Sequence, residues 1–188
     1  MRVTLGLPAG CRAIPAPGSA EHDEWVSELT SEDRADDRIT RDLRRVARVI
    51  ADTPQPRSWF AVIPPRGPLR LASVGSVFCA PDDGTELVEL RRAAEAVQAP
   101  PGRVLMSQQI EDVALDWGEA LLVYRLIGEA SENGNASLFE WVAVVARHRA
   151  QNVRIELELS TNDASVFEDL PGFATALIRS VSLVGGGS

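Results

Sequence analysis

The seven residues from Val153 to Leu159 constrain the fold more than any other stretch. Val153, Ile155, Leu157 and Leu159 alternate with Arg154, Glu156 and Glu158. A period of two places the aliphatics on one face of a strand and the charges on the other. Two runs before it, Leu138–Arg147 and Glu119–Ile127, are apolar at both parities. Leu138, Val142 and Val144 oppose Phe139, Trp141 and Val145, while Leu122, Tyr124 and Leu126 oppose Leu121, Val123 and Ile127. Strands apolar on both sides belong in the interior of a sheet with a cover on each face. The half-charged strand is expected nearer an edge. Val113–Asp116 precedes a Trp117-Gly118 turn. Asn133-Gly134 tolerates positive φ and closes the next hairpin, and His148–Gln151 joins the last two strands. The stretch from Ile110 to Leu159 is thus expected to be a four-stranded antiparallel meander with loops that serve as connectors.

The rest of the chain supplies covers. Ile39, Leu43, Val46 and Ile50 form one apolar stripe at 100° per residue, capped by Thr30 or Ser31 and ended by Asp52-Thr53-Pro54. A second helix is expected from a Thr85 cap through Leu87, Leu90, Ala94 and Val97 to Pro100-Pro101-Gly102. A third opens at Asp169 with Pro171 in its first turn and presents Phe173, Ala174, Leu177 and Ile178. Val3, Leu5 and Leu7 read as a first strand. Residues 11–30 are mixed: Pro15, Pro17 and Gly18 suggest a surface loop before a short acidic segment around Trp25, which reads as an anchor pinning that loop. Trp59–Ile63 and Leu69–Cys79 read as strands, the latter with a bulge at Gly75, and Val181–Val184 as a short extended end. The fold class is α+β: an antiparallel sheet with helices on both faces, an α/β/α sandwich over residues 1–184. Gly185–Ser188 has the composition of a linker or tag remnant.

With 188 residues, such a chain buries roughly 70% of its unfolded surface and needs no metal or disulfide staple. The net charge of −8 disfavours nucleic-acid binding, which depends on neutralising phosphates. It favours solubility and a basic partner. All 19 basic residues are arginine. Schiff-base lysines, pyridoxal attachment and phosphate-loop lysines are therefore excluded. Cys11 and Cys79 have no metal-type spacing and read as free thiols in a reducing cytoplasm, with a single bridge as the alternative. Leu7–Cys11 faintly echoes a lipoprotein cleavage site, but too few apolar residues precede it for export, and no run is long enough to span a membrane.

Catalytic signatures are missing. His22 and His148 read as surface residues, and no GxSxG or HExxH motif is present. Glu111, Asp112 and Asp116 lack the donor spacing of a calcium loop and read as a solvated strand end. Asn135-Ala136-Ser137 matches a glycosylation sequon, which matters only in a secreted chain. Neither a cofactor nor a metal is implied.

The most distinctive constellation is Arg34, Arg38, Arg41, Arg45 and Arg48, a guanidinium ridge on the side of the helix away from the Ile39–Ile50 stripe. It reads either as a docking face for carboxylate or phosphate or as a solvated face partly neutralised by Asp37–Arg41 pairing. Trp117, Tyr124 and Trp141 are core residues unless the helices leave a groove, in which case they could floor a site for a hydrophobic ligand.

The order of elements resembles the PsbP-like fold, a group that includes the photosystem extrinsic subunit, a Ran-binding protein, actinobacterial LpqN-type proteins and secretion-effector chaperones. The likeness rests on Val3–Leu7, the following helix, the sheet from Trp59 to Leu159 and the closing segment FEDLPGFATALIRSVSL from Phe167 to Leu183. It implies an α/β/α sandwich with binding or adaptor roles, and no functional residue carries over. The expectation is a non-enzymatic interaction module (adaptor, chaperone or immunity-type partner) docking an acidic protein on the arginine ridge. The alternative is a carrier of a lipid or other hydrophobic small molecule between sheet and helices. Self-association into a homodimer is compatible with either.

Overall fold

The computed structural model describes residues 2–33, 35–99, 101–130, 136–163 and 165–184. Arg34, the Asn133-Gly134 turn, Asn135 and Gly185–Ser188 lie outside them. The fold is α+β, and its centre is a seven-stranded antiparallel sheet. The strands are β2 (Cys11–Ile14), β3 (Ser58–Val62), β4 (Ser73–Pro81), β5 (Arg103–Leu115), β6 (Gly118–Ala130), β7 (Ala136–His148) and β8 (Val153–Thr161). They lie in the order β2-β3-β4-β8-β7-β6-β5. The expected meander is β5 to β8, and its first strand runs on to absorb Arg103–Met106. A separate ribbon pairs β1 (Arg2–Thr4) with β9 (Ser182–Val184).

Among the described residues four helices complete the layers: α1 (Ala20–Ser31), α2 (Asp37–Asp52), α3 (Leu87–Ala96) and α4 (Leu170–Arg179). One face of the sheet carries Phe60, Val77, Leu122, Val142, Val144, Ile155, Leu157 and Leu159 and packs on Leu170, Ala174, Leu177 and Ile178 of α4. Asp169 caps α4 by accepting from Gly172 N–H at 2.9 Å, with Pro171 in the first turn, as its sequence predicts. The opposite face is covered in two parts. At the β2–β3–β4 end, Trp25 and Leu29 of α1 and Ile39, Leu43 and Val46 of α2 pack on Ala61, Ile63 and Leu69. At the other end α3 lies over β5 and β6.

Residues 20–31 form a helix, and Cys11–Ile14 is a strand, where a loop was expected; Trp25 is core, not a loop anchor. Thr30 and Ser31 close α1, and Asp36 caps α2 by accepting from Arg38 N–H at 2.7 Å. Glu86, not Thr85, is the N-cap of α3, and none of its residues is fully buried. Regular strand geometry begins at Ser73, not Leu69. Gly75 stands in unbroken register between Phe60 and Leu159, with no bulge.

The half-charged strand β8 lies in the middle of the sheet, between β4 and β7, and not near an edge as its alternation predicts. Its charged face is tolerated there because it underlies the gap between the α1–α2 cover and α3, where counter-charges meet it. Arg57 reaches Glu156 at 3.6 Å and Glu158 at 3.4 Å, and Arg154 pairs with Asp83 and with Glu156. Arg147 of β7 donates to Asp82 at 2.7 Å. These pairs fasten the β4–α3 connection to the sheet. Hydrogen bonding from Arg147 holds the Asp82 carboxyl below the usual carboxylate range, and bonds from Thr85 do the same for Asp83. A carboxyl depressed in the folded state stabilises it above its unfolded value of about 3.9, and that contribution is lost as the pH falls through the lower folded value. Thermal unfolding followed by circular dichroism should therefore show the midpoint dropping below pH about 4. The D82N/D83N variant should start lower at neutral pH and depend less on pH in the acid range. Parallel profiles for the two proteins would refute the fastening role.

Candidate functional site

The arginine ridge begins with helix geometry. The stripe Ile39, Leu43 and Val46 is buried and fixes the rotation of α2, so Arg38, Arg41, Arg45 and Arg48 are exposed. The ridge does not simply face solvent. Arg38, Arg41 and Arg45 stand along one wall of a cleft of about 620 Å³ between α2 and the sheet. Arg70, from the β3–β4 connection, lines it too. Its apolar floor includes Val46, Trp59, Leu71, Val74 and Phe139, and Ser73, Ser160, Thr161 and Asn162 add polar groups.

The electrostatics are lopsided. The cleft holds four guanidiniums against the carboxylates of Asp42 and Asp163. Asp163 is engaged with Arg70, and bonds from Ser165 lower its pKa first, with Arg70 adding to the shift. The ion pairs among the described residues go to Arg12, Arg57, Arg70, Arg91, Arg103, Arg147, Arg149 and Arg154. None reaches Arg38, Arg41, Arg45 or Arg48, and the expected Asp37–Arg41 pair does not form. Like charges at i,i+3 and i,i+4 destabilise a helix by a few tenths of a kcal/mol per pair. An anion lying along them relieves that repulsion.

Trp117, Tyr124 and Trp141 are not brought together. Trp117 stacks on His148 at 5.2 Å in the β5–β6 turn. Tyr124 pairs with Val142 on the α4 face, and Trp141 pairs with Arg125 on the opposite face. Tyr124 donates to Glu140 Oε1 at 2.7 Å, and burial, reinforced by that carboxylate, pushes its phenol up to about 12. Of the three, Trp141 lines a groove. With Val97, Leu105, Ile127 and Phe139 it lines a second cavity of about 200 Å³ beside the C-terminal end of α3. Arg125 holds that end in place, donating to Ala94 O at 3.0 Å and to Gln108 Oε1 at 2.9 Å while its guanidinium lies over Trp141.

Neither histidine is a free surface group: His22 packs at 6.0 Å from Trp25, and His148 lies on Trp117. Glu111 accepts from Gln109, and Asp112 pairs with Arg91 at 2.8 Å. No cluster of metal-ligating side chains occurs among the described residues. Cys11 and Cys79 are both free thiols. Burial pushes Cys11 up to about 11 and raises Cys79, which disfavours the nucleophilic thiolate at neutral pH. Among the described residues no helix is long and apolar enough to cross a membrane.

Arg70, Trp59 and Phe139 escaped sequence reasoning as members of the site, since they come from three separate strands or connections. The only signal for Trp59 and Phe139 was the apolar parity of their strands, which does not tell which cover will be incomplete, and Arg70, in a connection, carried none. No protein-family model matches this chain, and no curated protein matches it.

Proposed function

We propose that this chain is a non-enzymatic protein-interaction module, of adaptor, chaperone or immunity type, that docks an acidic partner surface on the arginines of α2. One observation carries the reading. Arg38, Arg41 and Arg45 line a cleft and, among the described residues, have no ion pair of their own, in a protein where eight other arginines are paired and whose net charge is −8. Guanidiniums recognise carboxylates through paired N–H donors, and an excess of one sign in a concave surface steers an oppositely charged partner. The sheet covered on both faces agrees with the PsbP-like resemblance, whose members have binding roles. Two unbridged thiols fit a reducing compartment such as the cytoplasm.

The apolar floor of the cleft supports a second reading, a carrier for a hydrophobic small molecule. Both cavities are only partly enclosed, whereas small-molecule sites bury most of their ligand's surface. Organic extraction of the purified protein followed by mass spectrometry tests that reading directly.

The docking reading is tested by affinity capture from the native host, comparing the wild type with R38E/R41E/R45E. A stoichiometric acidic protein should co-purify with the wild type and be lost from the variant. The variant's melting temperature should change little, since exposed substitutions of this kind fall within about 0.5 kcal/mol each. Retention of the partner by the variant would remove α2 as the docking face.

A further inference from the structure

The two cavities are parts of one trough. Phe139 lines both. In the register of the sheet, Ser160 of β8, a wall of the first cavity, pairs with Val74 on one side and with Trp141, a wall of the second, on the other. Trp141 in turn pairs with Arg125 of β6. The trough therefore runs across the strands from Val74 to β6, over three inter-strand spacings, or about 14 Å. An extended peptide covers that distance in about four residues. One end is cationic and the other apolar.

We propose that the trough recognises a bipartite segment of a partner protein, with acidic side chains on Arg38, Arg41 and Arg45 and one apolar side chain, about four residues away, in the groove of Val97, Leu105, Ile127, Phe139 and Trp141. The proposal rests on the docking reading above and adds the anchor. The size of the second cavity supports it. At about 200 Å³ it falls below the roughly 300 Å³ at which small-molecule pockets begin, and it suits one large side chain. The spread of the charges points to a peptide over a fatty acid. Arg38 to Arg45 spans two helical turns, about 10 Å, which one carboxylate cannot engage but a run of acidic residues can. Val97, 45% exposed at the rim of the groove, is free to cover an incoming side chain. Arg125, tied to Ala94 and Gln108 and lying over Trp141, keeps the opposite wall rigid.

The test uses two fluorescein-labelled twelve-residue peptides, each with three glutamates. One carries a leucine four residues beyond them, and the other carries alanine there. Anisotropy titrations at low salt should give about tenfold tighter binding of the leucine peptide, the gain expected for burying one such side chain. V97Q should shrink that difference, and W141A should abolish it. R38E/R41E/R45E should abolish binding of both peptides. Equal affinities for the two peptides, with the arginine dependence intact, would overturn the anchor and leave the docking reading standing. Binding of neither peptide would also overturn the anchor, and the capture experiment would then judge the docking reading by itself. Displacement of the leucine peptide by oleate at equimolar concentration would overturn the proposal in favour of a carrier. A sedimentation experiment showing a dimer that dissociates only in the arginine variant would overturn it in favour of self-association.

Discussion

Replacement of Gly75 by alanine should cost this protein a large share of its stability. A Cβ built at Gly75 would lie 2.2 Å from Cζ of Phe60 and 2.7 Å from each Cε. The two residues are direct cross-strand partners in β3 and β4, and Leu159 of β8 faces Gly75 from the other side. The Phe60 ring is 1% exposed and packed in the α4-side core, so it has nowhere to go. Overpacking of a filled core costs about 1–3 kcal/mol and sometimes more, a large share of the roughly 5–15 kcal/mol that a domain possesses. The glycine is needed because the ring lies across it. G75A should therefore show a sharply lowered urea midpoint or fail to accumulate as folded protein. Shortening the ring should reverse the effect: F60L/G75A should be more stable than G75A, although F60L alone is less stable than the wild type. A midpoint for G75A equal to that of the wild type would show that the ring moves aside.

Gly75 also shows where sequence reasoning stops. A glycine inside a strand pattern signals a bulge or a close approach, and only the partner strand decides which. The meander was legible because strict alternation and short turns are local. The same holds for α4, where Asp169, Pro171 and the apolar face all point one way. The helix α1 was missed because only Trp25 and Leu29 of its residues are fully buried, and its acidic composition resembles a solvated loop. The charges of Arg154, Glu156 and Glu158 suggested an edge, yet Arg57, Asp82 and Asp83 arrive from distant parts of the chain to neutralise a central gap. Non-local pairing of that kind leaves no periodic trace. The same limit applies to the site. The ridge on α2 follows from helical spacing, but the facing wall of the cleft depends on which strands lie beside β8.

The second large effect is expected in the core beneath the ridge. Leu43 is 5% exposed and belongs to the stripe, with Ile39 and Val46, that seats α2 on Ala61, Ile63 and Leu69. Truncating a buried leucine to alanine removes its transfer energy and leaves a cavity, a loss of about 2–5 kcal/mol. L43A should lower the unfolding free energy by an amount in that range. V49A, six residues further along α2 and 47% exposed, should stay within about 0.5 kcal/mol of the wild type. The functional consequence follows from the same contact. Arg38, Arg41 and Arg45 are aimed at the cleft only because the stripe fixes the rotation of α2, so L43A should weaken binding of an acidic peptide with every arginine still present. Hydrogen exchange should locate the change: protection lost first in α2, with β6, β7 and β8 still protected by the core on the α4 side. If L43A loses stability but binds as tightly as the wild type at a temperature where both are folded, the arginines do not depend on the seating of α2. The ridge would then act as a diffuse positive surface without a fixed geometry, and the alignment of the trough across the sheet would have no part in recognition.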